Sequence, residues 1–308
     1  MSDYTHRHAL AHGGSDRSSS SSSNNADTST LQWANSFGNS SLLSSHIMAG
    51  GSMEVGDRGE EVLELQTLLG FNKPDGVFGP MTLKQLTLFQ GAYGLPESGV
   101  LDLPTYARLS HSKQSTTDSN AILFGQVGSG ASRGTALQDG LSGGQDDSIK
   151  MAQNDEAQIL RHKDNFAAVG ARHGIPASIL AGIASRETRG GNQLNAAGYS
   201  VYGGNQGFGM MQVDGGYHTP RGTPDSVEHI EQAAEILVGF RDQLQASHPD
   251  WTPAQLLKAA VAAYNCGPGR VRNISNMDGR TTGGDYSGDT WVRAQYYARF
   301  FNDSPPTS

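Results

Sequence analysis

The sequence predicts a mainly helical protein made of a small three-helix bundle followed by a larger helical segment. Three observations predict it. Apolar residues recur at i, i+3 and i+4 through several stretches. Glycine- and proline-marked turns separate those stretches. The single cysteine, Cys266, excludes an intramolecular disulfide framework, so packing must hold the folded parts together.

Residues 1–52 are rich in Ser, Asn, His and Gly, include the run Ser18 to Ser23, and are expected to form a disordered tail. The first patterned segment, 53–110, places Val62, Leu65, Gln66, Leu68 and Leu69 at helical spacing. The turn "PDGVFGPMT" then leads to a second helix marked by Leu83, Leu86, Leu88 and Phe89, with Thr82 as its expected N-cap. A third helix is expected to start near Leu103 and Pro104. No group of His, Cys or paired carboxylates offers chemistry in this segment. Residues 111–122 are polar and aperiodic and read as a linker.

The large segment, 123–303, opens with a helix expected over Ser148 to His173 and stopped by Gly174. In "IPASILAGIASRE", Pro176 sits near a helix start and Ile179, Ile183 and Glu187 follow at i, i+4 spacing. One helix face therefore carries two isoleucines and then a carboxylate. By pattern alone Glu187 is either a solvated helix end paired with Arg186 or Arg189, or a functional acid. A scaffold helix is expected from about Thr223 and Pro224. In "TPAQLLKAAVAAYNCGPG", Thr252, Pro253 and Gln255 form the signature of a capping box, and Tyr264 and Asn265 close the helix. The last helix, "DTWVRAQYYARFF", is amphipathic and aromatic, and residues 304–308 are a short tail.

Thirty acidic residues against 22 basic ones give a net charge of −8, which argues against nucleic acid as a partner and favours a neutral polymer. No stretch approaches the roughly 20 apolar residues of a membrane span, and the start lacks the pattern of a signal peptide. The start of the chain therefore shows no export route. The histidines show no metal-binding spacing, so neither metal nor cofactor is expected. The glycines of "GNQGFGMMQVD" lack the strand, helix and Lys of a phosphate loop, and Asp214 at its end reads either as a turn cap or as a functional acid.

"GDRGEEVLELQTLLG", "DGVFGPMTLKQLTLFQ" and "SGVLDLPTYARL" resemble the three-helix peptidoglycan-binding domain found beside many cell-wall hydrolases. "GIASRETRG", "NQGFGMMQVDGGYHTP", "AVAAYNCGPGRV" and "MDGRTTGGDYSGDTWVRAQYY" occur in the order seen in goose-type lysozymes, relatives of the soluble lytic transglycosylases in glycoside hydrolase family 23. That resemblance implies the α+β lysozyme-like fold with a small β-hairpin element beside the cleft. It implies an enzyme that cuts the β-1,4 bond between N-acetylmuramic acid and N-acetylglucosamine of bacterial peptidoglycan; the chain is expected to be a monomer and to act outside the cell or at the bacterial wall, a cytoplasmic stage before release staying open. Glu187 falls on the family's catalytic acid and Asp214 on a second carboxylate that assists the attacking water. Met211 and Gln212 fall on the cleft wall, His218 on a substrate contact, and Tyr264 and Asn265 on residues supporting the reacting sugar or the acid. A further family aspartate before the glycine loop has Gly203 in its place. This opens the alternative of a lytic transglycosylase forming 1,6-anhydromuramic ends, beside a third of a non-catalytic wall binder.

Overall fold

The computed structural model describes residues 41–114, 119–202 and 205–301. The tails before residue 41 and after residue 301, and Gly203 with its neighbour Gly204, lie outside the described residues.

The small module holds four helices: α1 (Leu42–Met48), α2 (Glu60–Leu68), α3 (Pro80–Ala92) and α4 (Leu103–Gln114). The last three are those the sequence predicts. Helix α1 corrects the expectation of a tail reaching residue 52. Leu43 and Ile47 are fully buried on α2, and Ser41 caps the helix by accepting from the Ser44 N–H. Two apolar residues four apart are enough to dock one short helix within a polar stretch. Thr82 is not a cap. Helix α3 starts after Gly79 with Pro80 in its first turn, and the Thr82 hydroxyl accepts instead from Gln66 Nε2 at 3.0 Å. Gln66 is buried because its amide ties the turn: its oxygen accepts the N–H groups of Asp75 and Gly76, each at 2.9 Å.

The expected linker is helical at both of its described ends. Helix α4 runs to Gln114 and α5 spans Ser119–Leu123. The modules then share one core. Phe124 meets Phe89 of α3 edge-on at 5.4 Å between ring centroids, and Asn72 and Gln126 exchange amide hydrogen bonds at 3.1 and 3.2 Å. Gly70, at φ 81°, presses against the 125–126 backbone so closely that a Cβ would lie 2.5 Å from the Gly125 carbonyl carbon. Arg299 also reaches Glu97 at 2.8 Å.

The larger module comprises α6 (Arg133–Ala136), α7 (Gln145–Leu160), α8 (Lys163–His173), α9 (Ala177–Thr188), α10 (Val227–Ser247), α11 (Pro253–Cys266) and α12 (Tyr286–Tyr297). The single helix expected over Ser148–His173 is two, broken at Arg161 and His162, while Gly174 ends α8 in the left-handed conformation, φ 61°. Helix α10 begins at Val227 behind its cap Ser226, slightly later than the start expected near Thr223 and Pro224. The capping box of α11 forms as its sequence predicts. Helix α9 lies at the centre, buried along nearly its whole length. Gly182 lets it approach α12 closely: a Cβ there would lie 2.9 Å from the Thr290 carbonyl oxygen.

The implied β element is present. Strands β1 (Gly207–Phe208) and β2 (Val213–Asp214) pair antiparallel, Gly207 opposite Asp214 and Phe208 opposite Val213. Among the described residues no helix is long and apolar enough to cross a membrane.

Candidate active site

Glu187 sits in the last turn of α9 and lines a cleft of about 380 Å³. Ile179 and Ile183, on the same face, are fully buried, so the helix that carries the acid is anchored by the core one and two turns below it. Burial pushes the Glu187 carboxyl up to about 6, against a hydrogen bond from the Tyr286 hydroxyl and the charge of Arg186, which both favour the anion. Tyr286, the first residue of α12, is itself buried and donates to Glu187 Oε1. Its own ionisation is driven far upward by burial and by the neighbouring carboxylate, so it stays a donor.

Arg186 turns away from Glu187 into a buried ion network. Its guanidinium contacts Asp285 at 2.9 Å and Asp289 at 2.5 Å. Asp289 also accepts from Arg293 at 3.0 Å and from Ser148 at 2.6 Å. Arg293 donates to Ser185 at 2.9 Å, and the Ser185 hydroxyl donates to Asp155 at 2.7 Å. Despite its burial Asp289 is held below the usual carboxylate range, because the two guanidinium groups outweigh desolvation. Asp155 behaves oppositely, with burial raising it to about 6. The network ties α7, α9 and α12 together beneath the acid.

Asp214 is the exposed residue of β2, beside the buried Val213. Its Oδ1 accepts the Gly216 N–H at 2.8 Å and its carbonyl accepts the His218 N–H at 2.9 Å, the geometry of an Asx turn. It is not among the residues that line the cleft around Glu187, which include Gln212 and Asn265.

Gln212 adopts a left-handed backbone, φ 51°, and its side chain donates to the Gly209 carbonyl at 2.8 Å. Gly207 leaves the space for this amide: a Cβ there would lie 2.6 Å from Gln212 Oε1. Asn265 accepts the Thr282 N–H at 2.8 Å.

Met211 departs from the cleft-wall expectation. Its side chain is fully buried, its N–H is given to His229 Nε2 at 3.1 Å, and its carbonyl accepts from the Tyr264 hydroxyl at 2.9 Å. Tyr264 thus supports the loop, and its ionisation is pushed well up by burial and by Glu187. His218 lines a separate recess with Arg221, Gln232 and Glu235 beside α10, away from Glu187.

Sequence reasoning missed Tyr286, the Arg186 network and His229. Each acts across a long stretch of chain, and nothing local marks it. The nearest signal is the pair of aspartates flanking Tyr286 at the start of an apolar helix, where buried charge requires a partner. His229 is fully buried, and its ring fills the space that Gly209 leaves open. Burial lowers its pKa to about 4. No group of His, Cys, Asp and Glu among the described residues could hold a metal ion.

Residues 126–300 match the family model Lysozyme g, and residues 58–109 match Putative peptidoglycan binding domain. The chain belongs to the lysozyme g family. It is 46% identical over 177 residues to Lysozyme g of Epinephelus coioides, covering 54% of this chain and 91% of that protein. It is 44% identical over 176 residues to Lysozyme g of Takifugu rubripes, covering 55% and 91% respectively. Lysozyme g of Cyprinus carpio is 41% identical over 169 residues, covering 54% of this chain and 90% of that one. The family-matched segment holds Glu187, Tyr286 and the whole ion network, and the second match falls on the small module.

Proposed function

We propose that this lysozyme hydrolyses the β-1,4 bond between N-acetylmuramic acid and N-acetylglucosamine of peptidoglycan, with Glu187 as general acid and Asp214 assisting the attacking water. The observation that carries it is the Glu187 carboxyl, set in a cleft, half-buried, and raised to about 6 by desolvation. A glycosidic oxygen is a poor leaving group until protonated, so the acid must hold its proton near neutral pH. Tyr286 occupies one carboxyl oxygen and leaves the other to carry that proton. Transfer of the proton breaks the glycosidic bond, and charge then spreads over the sugar's anomeric carbon and ring oxygen. Water adds to that carbon. In an inverting enzyme the second carboxylate stands about 6.5 to 9.5 Å from the first and takes the proton of the water. The small module would hold the enzyme on the same polymer.

The exposure of Asp214 and its turn contact to Gly216 favour a second reading, in which the muramic 6-hydroxyl attacks and no side chain activates water. The other carboxylates lining the cleft, Asp139 and Asp155, are already engaged by Arg189 and by Ser185 with Arg293. Mass spectrometry of muropeptides released from purified peptidoglycan decides between the two. Reducing ends support hydrolysis and 1,6-anhydromuramic ends overturn it. Retained lysis by Glu187→Gln overturns the role of the acid in both.

A further inference from the structure

A second groove, of about 800 Å³, opens where the two modules meet. The small module contributes Asn72, Lys73 and Met81 to it, and the larger one Lys258, Met277 and Asp278. Lys258 is the unusual member. It projects from the middle of α11, is about nine-tenths buried, and gives a hydrogen bond from Nζ to the Val127 carbonyl at 2.6 Å. An ammonium has three N–H donors and a full charge, and a carbonyl satisfies only part of that.

The acid nearest to hand does not complete the pair. Asp278 Oδ1 accepts the Ser287 N–H at 2.7 Å, and its Oδ2 accepts the Ser287 hydroxyl at 2.8 Å and the Gly288 N–H at 2.9 Å. Its carboxylate is spent on fixing the turn before α12, and it favours the charged lysine only through space. Among the described residues Lys258 makes no ion pair. A buried cation without a counter-ion, in a groove whose rim carries the exposed Lys73, is a receptor for a carboxylate. The exposed Met81 and the buried Met277 add apolar surface for small side chains.

We propose that this groove binds the acidic peptide branch of peptidoglycan, with Lys258 and Lys73 taking its carboxylates. The proposal rests on peptidoglycan being the substrate and names the part of it that the groove receives. Position supports this occupant. The segment from Met277 to Ser287 borders the groove, while Thr282 and Tyr286 within it line the cleft of Glu187. One segment thus borders both recesses, so the proposal has a glycan strand in the cleft direct its peptide branches to the groove. The polymer offers the complementary chemistry as well, since its stem peptides alternate small apolar residues with free carboxylates.

The test is calorimetric titration of the full chain with a synthetic stem pentapeptide that carries no sugar. Binding is expected, weakened about three-fold by Lys73→Gln and about ten-fold or more by Lys258→Met. Amidating the peptide carboxylates is expected to weaken binding as much as the lysine changes do. Lys258→Arg, which keeps the charge, is expected to retain most of the affinity, and Lys73→Gln alters only an exposed side chain, so the test survives misfolding of Lys258→Met. Equal binding of the acid and amidated peptides, or unchanged affinity in Lys73→Gln and Lys258→Met, overturns the proposal. Because the probe has no glycosidic bond, failure of the catalytic reading leaves this result interpretable, and the reverse also holds.

Discussion

The Tyr286 hydroxyl donates to Glu187 Oε1 across 99 residues of sequence, joining the first turn of one buried helix to the last turn of another. This bond favours the anion and burial favours the acid, and burial prevails. Tyr286→Phe removes the opposing influence. The alkaline limb of the pH profile of kcat/KM should therefore move to higher pH, by up to about one unit, with activity retained on the acid side. A limb that stays in place or moves down refutes the assignment.

The raised carboxyl also has a cost in stability. Glu187 titrates near 6 when folded against an ordinary value of 4.5, so its neutral form is favoured in the fold. Stability from this group is fully present below pH 4.5 and is lost as pH rises through 6. Glu187→Gln should abolish lysis and raise stability at pH 7 by about 1–2 kcal/mol, a gain that disappears towards pH 4. Thermal melting at the two pH values measures it.

Asp289 sits between Arg186 and Arg293 with no exposure of its own. Asp289→Ala leaves two guanidinium groups short of their shared partner, and should cost about 3–5 kcal/mol in denaturant unfolding. Since the folded pKa of Asp289 is depressed, the stability it supplies is present above its unfolded value and is lost on acidification through the folded one.

His229 accepts the Met211 amide through Nε2, so the ring must be neutral for the loop to close as it does. Its folded pKa of about 4 lies below the ordinary 6.5, and the stability it gives is present above 6.5 and lost as pH falls through 4. His229→Ala should cost about 2–4 kcal/mol through a cavity and an orphaned amide. Hydrogen exchange at Met211 should accelerate with it.

Gly209, at φ 71°, leaves no room for a side chain, because a Cβ would lie 2.3 Å from the His229 ring. Gly209→Ala should therefore destabilise by more than about 1 kcal/mol and lower activity by disturbing Gln212, whose amide bonds to the Gly209 carbonyl. Unfolding and kcat together check it.

The helices were legible because their information is local. Periodicity placed α9 and with it the register of Ile179, Ile183 and Glu187, and the capping box of α11 is written within four residues. What stayed hidden is long-range. The break between α7 and α8 interrupts no apolar periodicity. Tyr286, Arg186 and His229 lie 99, 103 and 18 residues from their partners Glu187, Asp289 and Met211, and nothing in a local pattern specifies that these groups meet. Family resemblance located Met211 but could not show that its amide and carbonyl were already engaged within the protein.

The amide exchange between Asn72 and Gln126, with Gly70 pressed against the 125–126 backbone, braces the small module onto the catalytic one. A wall-binding module on a flexible leash would let the cleft sweep an arc and sample many bonds per landing. A braced one makes the enzyme a fixed-span gauge. Where strands are spaced to satisfy both modules at once, avidity is gained in full, and where they are not the second contact contributes nothing. If the small module grips the same polymer, the spacing of the wall would then join its chemistry in deciding where the polymer is cut.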